Sequence, residues 1–235
     1  MRVAALYDLH GNLPALEAVL DEVLAAEVDA ILCGGDVVWG PLPGETLHRI
    51  EEAATHFVRG NADRHVAEGE ASEPTRWCAE RLTRDERDRL GAWHGSVVLD
   101  VDGIGRVLFC HASPYDDEAG FTEATREEVA APLLAGVEAD VVVCGHTHAQ
   151  FDLRFGGVRV VNAGSVGMPA EGRRGAFWAV LGPEVELRCT EYDVDTALPL
   201  LVDSGFPVAH RLFTASLAEP VPKSVRIEWY ESQRG

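Results

Sequence analysis

Asp8-Leu9-His10 closes the apolar run Val3 to Tyr7, and four other polar clusters stand in the same place after runs of strand character. They are Gly35-Asp36 after Ala30 to Cys33, Gly60-Asn61-Ala62-Asp63 after Thr55 to Val58, His111 after Arg106 to Cys110, and Gly145-His146-Thr147-His148 after Val141 to Cys144. Side chains two apart in an extended loop can point to one side, so Asp8 and His10 can reach one ion. His146 and His148 share that spacing and could serve one ion or two neighbours. Carboxylate and imidazole without thiolate suit ions such as manganese, iron or zinc rather than a sulfur cluster; manganese is the ion expected first, with nickel also an alternative. One carboxylate shared by two ions holds them roughly 3.5–4 Å apart, and a water bridging them becomes a nucleophile near neutral pH. The same ions neutralise phosphoryl oxygens as charge builds in the transition state. Each cluster alone has a plainer explanation: Asp8 as a strand end, Asn61 as a turn residue, His111 as a hydrogen-bonded core histidine. Five in succession, each at a strand terminus, outweigh it.

The elements that must position these residues read as β-α-β-α-β from Val3 to Val58. Leu13, Leu16, Val19, Leu20, Val23 and Leu24 fall at helical spacing behind Asn12 as N-cap, and a second helix spans Gly44 to Glu52. Asp63 to Trp93 is charged and helical in character. A hairpin over Ser96 to Cys110, a helix near Thr125 to Leu134, and strands at Val141 to Cys144, Gln150 to Phe155, Val158 to Asn162, Ala176 to Leu181 and Glu184 to Tyr192 follow. A last helix near Val194 to Ser204 precedes a tail that reads as irregular, with Pro207, Pro220 and Pro222. The expectation is an α/β fold of two sheets with helices outside, one domain over 1–235 with an extension from about 193. Ligands in open α/β sheets bind at the carboxyl ends of strands, where all five clusters lie.

The 235 residues suit a chain that builds its core without disulfide staples. Five cysteines with no CxxC pair disfavour a zinc ribbon, and a reducing cytoplasm is the expected compartment. The residues from Arg2 to Tyr7 read straight into a strand, so no targeting segment is expected, and no apolar run approaches membrane length. A net charge of −19 disfavours long nucleic acid and anionic membrane as partners. It also means that a phosphate ester needs local positive charge, which bound metal would supply. Oligomeric state is not encoded in any pattern here.

The clusters resemble the calcineurin-like metallophosphoesterases, whose pattern runs D-x-H, G-D, G-N-H-D, a histidine after a strand, and G-H-x-H. With Asn162-Ala163-Gly164-Ser165 behind the last motif, the chain is similar to the small bacterial and archaeal phosphodiesterase branch. The resemblance implies a four-layer α/β/β/α sandwich. It also implies Asp8, His10 and His148 on a first divalent metal, Asp36 bridging, and Asn61, His111 and His146 on a second. Asp36, Asn61 and His111 would also act in catalysis. The implied activity is hydrolysis of a small phosphoester, a diester first, by a hydroxide between the metals. Phosphomonoesterase or phosphoprotein phosphatase activity, a weakly active scaffold such as the family's retromer subunit, and a phospho-metabolite sensor are the alternatives.

One position departs from the pattern. Ala62 replaces the histidine of G-N-H-D, which removes a general acid worth around 10²–10⁴-fold. His65 is a candidate substitute, with an exposed helix histidine as the plainer reading. Asp63 reads as a local cap. Asn12 and Arg59 could touch substrate or serve structure. Trp39, Tyr115, Phe121 and Met168 could line a pocket or simply pack, and Asp116 to Glu118 reads as solvated surface.

Overall fold

In the computed structural model, described over residues 1–69 and 72–234, two five-stranded mixed sheets lie face to face with helices on their outer sides. The first contains β1 (Val3–Leu6), β2 (Ala30–Cys33), β3 (His56–Phe57), β9 (Ala176–Leu181) and β10 (Val185–Thr190), ordered β10-β9-β1-β2-β3. The second contains β4 (Ser96–Val101), β5 (Gly105–Cys110), β6 (Val141–Cys144), β7 (Phe151–Phe155) and β8 (Val158–Asn162), ordered β4-β5-β6-β8-β7. β1, β2 and β3 run parallel, as do β5, β6 and β8, so their carboxyl ends gather at one edge.

The alternation of strand side chains builds three apolar layers. Val3 and Ala5 of β1 face Val141 and Val143 of β6 between the sheets. Ala4 and Leu6 face outward onto α1 (Leu13–Ala25), α2 (Pro43–Ala53) and their neighbours. Val142 and Cys144 face outward from the second sheet toward α6 (Glu127–Leu134). Strands covered on both faces must be apolar throughout, which is why Val3–Leu6 and Val141–Cys144 carry no alternation in sequence. The expected four-layer α/β/β/α sandwich is therefore observed.

Asp63 to Trp93 resolves into α3 (Asn61–Glu68), α4 (Glu73–Ala79) and α5 (Arg84–Ala92), the latter two capped by Ser72 and Thr83. After α7 (Val194–Val202) the structure departs from expectation. The tail is helical, with α8 (Ala209–Phe213), a π turn at Thr214–Ala218 and α9 (Lys223–Ser232). Pro222 marks the start of α9 rather than loop, because a helix opening does not need its N–H. Cys33, Cys78, Cys110 and Cys144 are buried free thiols and Cys189 is partly buried. Among the described residues no helix is long and apolar enough to cross a membrane.

Candidate metal centre

The two sheets meet in one cluster of acceptor atoms. Asp8 and Asp36 come from the ends of β1 and β2, and His111 and His148 follow β5 and β6 in the other sheet. Oδ1 of Asp8 is buried and has no hydrogen-bond partner. It lies 3.4 Å from Nε2 of His148, 3.9 Å from that of His111 and 4.0 Å from that of His10. Asp36 faces both flanks, with Oδ2 3.7 Å from His10 Nε2 and Oδ1 3.5 Å from His111 Nε2. Two groups thus fall within metal-binding reach, Asp8 with His10 and His148, and Asp8 with Asp36 and His111.

The histidine tautomers follow from their other nitrogens. Nδ1 of His10 donates to the Trp39 carbonyl at 3.0 Å, that of His111 to Gly34 at 2.9 Å, and that of His148 to Met168 at 2.7 Å. A neutral ring so bonded turns a lone pair on Nε2 into the cluster, the arrangement by which proteins orient metal-ligating imidazoles. Nε2 of His10 and His148 then oppose each other at 3.1 Å, and Nε2 of His111 opposes Asn61 Oδ1 at 3.0 Å. Acceptors this close repel unless a cation or proton lies among them. The donor set, carboxylate and imidazole around an orphaned buried oxygen, fits divalent metal.

Electrostatics point the same way. Burial works to raise the Asp36 carboxyl, but the His111 charge beside it wins and holds it well below the usual carboxylate range. Burial works to lower His111, yet Asp36 carries it up to about 10. Burial and then the His111 charge push His146 down to about 4. Burial and the negative charge of Asp36 push Asp63 up to about 7. Asp63 accepts from the amides of Val37, Val38 and Gly60, which confirms its capping role and ties the Asp36 loop to α3.

The backbone is bent to bring these side chains inward. Asp8, His10, Asp36, His146 and His148 all adopt positive φ, between 45° and 64°, and Glu27 is the one other non-glycine residue to do so among those described. Asp and His tolerate this region better than most residues, and such strain concentrates at functional sites. Neighbouring glycines make the approach possible: a Cβ on Gly60 would sit 2.1 Å from Asp36 Oδ1, and one on Gly145 2.4 Å from Asp8 Oδ2. Asn162 donates to the Gly145 carbonyl and to Thr147, and Ser165 joins the Asp8 carbonyl to the Met168 amide.

Of the seven candidate ligands, the structure draws Asp8, His10, Asp36, His111 and His148 into the two groups. Asn61 touches His111, and His146 lies outside the groups with its ring 5.3 Å from that of His111 and its amide on Asp8 Oδ2. A family profile described as the calcineurin-like phosphoesterase superfamily domain matches residues 1–182. The chain belongs to this superfamily. As a calcineurin-like phosphoesterase it is a metal-dependent hydrolase of phosphoesters. It resembles a metallophosphoesterase from Sphaerobacter thermophilus, with TM-score 0.77 and 26% identity over 94% of this chain and 99% of that one. It shares the fold of protein PH1004 from Pyrococcus horikoshii, with TM-score 0.79 and 19% identity over 92% and 97%. Protein MJ0912 of Methanocaldococcus jannaschii is 25% identical over 90% of this chain and 97% of its own length.

Beside the phosphoesterase cluster lies a cavity of about 440 Å³, within the roughly 300–1,000 Å³ typical of small-molecule pockets. His10, Asp36, Asn61, His146 and His148 line it, as do Trp39 and Met168 from the sequence reading. His65 lines it too and is half-buried, with Nε2 3.2 Å from Glu118, rather than exposed. Phe121 instead packs in the core and Tyr115 is exposed away from this cavity. Asn12 spends its side chain on Ala15, Gly167 and Tyr192, and Arg59 donates to Gly91, so both serve structure. Asp117 and Glu118 are not merely solvated, because both pair with Arg64. The sequence reading missed Arg226, Trp229 and Tyr230 of α9, which line the cavity. Their i, i+3, i+4 spacing was the available signal.

Proposed function

We propose that this phosphoesterase holds two divalent ions and cleaves phosphodiesters. Asp8, His10 and His148 would hold one ion and Asn61, His111 and His146 the other, with Asp36 able to serve both. The observation that carries this reading is the two-sided placement of Asp36, whose oxygens face His10 on one flank and His111 on the other. Bound there, the ions would polarise the phosphoryl group and activate water. The chain's own residues fix the geometry. The carbonyls of Trp39, Gly34 and Met168 set the imidazole orientations, and Asp63 immobilises the loop bearing Asp36.

Diester preference is supported by charge and room. Among the described residues Arg226 is the sole Lys or Arg lining the cavity, so a singly charged diester needs less neutralisation than a doubly charged monoester. With Ala62 in place of a histidine, the proton for the leaving group falls to His65, which stands one helical turn beyond Asn61 on α3 and faces the cavity. Manganese is the ion to test first. Metal-depleted protein reloaded with manganese should hydrolyse bis(4-nitrophenyl) phosphate faster than 4-nitrophenyl phosphate and bind two ions per chain. Asp36→Asn should lower turnover at least a hundredfold. Inertness of the loaded protein toward both esters would sink the hydrolase reading, and one ion per chain would sink the two-metal one.

A further inference from the structure

α9 lies beyond the residues matched by the family profile, yet it forms part of the cavity wall. It is held firmly in place. Tyr230 donates to the His146 carbonyl at 2.8 Å, Lys223 donates to the Gln150 carbonyl and pairs with Glu123, and Ile227 is buried. Glu231 accepts from Thr122 and Thr125, and Arg234 donates to the Gly120 carbonyl. A wall fixed at both ends and in the middle offers its side chains in a set arrangement, which lowers the entropy cost of binding.

Two of those side chains, Arg226 and Trp229, have little structural work to do. Arg226 is half-buried beside the metal centre, and no carboxylate among the described residues stands within ion-pair distance of it. In a chain with 39 acidic and 20 basic residues, a cation left unpaired in a cavity is a receptor for an anion. Trp229 is 51% exposed at the cavity, its ring 4.9 Å from that of Tyr230, which in turn lies 5.9 Å from the His146 ring. Trp39 adds a second aromatic wall from the loop after β2, braced on Phe206 at 5.1 Å. At position 62 the small Ala side chain leaves open the space a larger residue would fill.

We propose that α9 is the substrate-recognition wall of the phosphoesterase site: Arg226 pairs with the phosphate, and Trp229 with Tyr230 receives a flat aromatic or heteroaromatic ring esterified to it. This deepens the phosphoester reading and rests on it for the identity of the anion. The substrate class is a small aromatic phosphoester, not a phosphoprotein or an aliphatic ester.

The test uses the full chain loaded with manganese and two stable probes, phenylphosphonate and methylphosphonate, titrated by calorimetry. Phenylphosphonate should bind roughly 5- to 150-fold more tightly, the span expected of one aromatic stack. Trp229→Ala should cut that ratio at least threefold, and Trp229→Phe should restore most of it. Arg226→Ala should weaken both probes together by roughly 10- to 100-fold, as for a charged hydrogen bond. Unchanged melting temperature and metal stoichiometry establish that the variants are folded. Equal affinity for the two probes, or a ratio unmoved by Trp229→Ala, overturns the proposal. If the probes bind as expected while bis(4-nitrophenyl) phosphate is not hydrolysed, recognition by α9 stands and the hydrolase reading falls. Hydrolysis with equal probe affinities does the reverse.

Discussion

Gly60→Ala isolates the placement of Asp36 from its chemistry. Gly60 has φ −82°, so alanine meets no backbone penalty there. The added Cβ, however, would lie 2.1 Å from Asp36 Oδ1 and 2.3 Å from its amide nitrogen, and real contacts of this kind are not found below 3.0 Å. The carboxylate or its loop must therefore retreat by about 1 Å. Because a misplacement of about 1 Å can cost on the order of 10²-fold in rate, kcat/KM for bis(4-nitrophenyl) phosphate should fall by roughly that factor. Overpacking should also cost about 1–3 kcal/mol of stability. Gly95→Ala is the control, since an added Cβ there meets nothing within 4 Å. Steady-state kinetics, metal titration and thermal unfolding of both variants decide the matter. If Gly60→Ala keeps its activity within threefold and its metal affinity intact, the position of Asp36 is not what the site depends on.

Two further outcomes follow from the charges. Asp36 carries His111 up to about 10, so the metal-free protein holds a proton there at neutral pH that an incoming ion must displace. Manganese loading followed calorimetrically in buffers of differing ionisation heat should show proton release, with affinity falling as pH falls; affinity independent of pH contradicts it. At the start of α5, hydrogen bonds from the Thr83 hydroxyl and amide, with His48 beside them, lower Glu86 to about 2. A depressed acid stabilises the fold fully above its unfolded value near 4.5 and ceases to do so as pH falls toward 2. Thr83→Ala should therefore cost about 0.5–2 kcal/mol at pH 7, and progressively less below about pH 4, in thermal unfolding.

What could be read in advance divides along the line between local pattern and long-range docking. β2, β6 and β9 begin and end where their apolar runs do, because each run lies between aspartate or glycine residues that disfavour continuing a strand. The ligand clusters were legible for the same reason: each is a short segment tied to the strand before it. Three-dimensional convergence was less so. That Asp8, as well as Asp36, contacts both flanks depends on β1 lying against the second sheet, which no local pattern states. α9 was lost to the prolines of the tail, whose usual meaning is loop, although Pro222 opens the helix. Even a correct helix assignment would not have shown that Tyr230 reaches the His146 carbonyl, 84 residues away in the chain. Thr122 and Thr125, which receive Glu231, carry no motif at all.

The left-handed backbone at Asp8, His10, Asp36, His146 and His148 has an evolutionary consequence. Each such residue costs of order 1–2 kcal/mol against a right-handed alternative, and five together approach the whole net stability of roughly 5–15 kcal/mol in an ordinary domain. Glycine at any of these positions would relax the chain and remove the side chain that faces the centre. Selection for stability alone would thus favour glycine at the positions that face the cluster, and lineages with no use for a metal there should drift at them first. Relatives that keep a metal centre should therefore retain aspartate or histidine at these five positions, and a comparison of active with inactive relatives checks it.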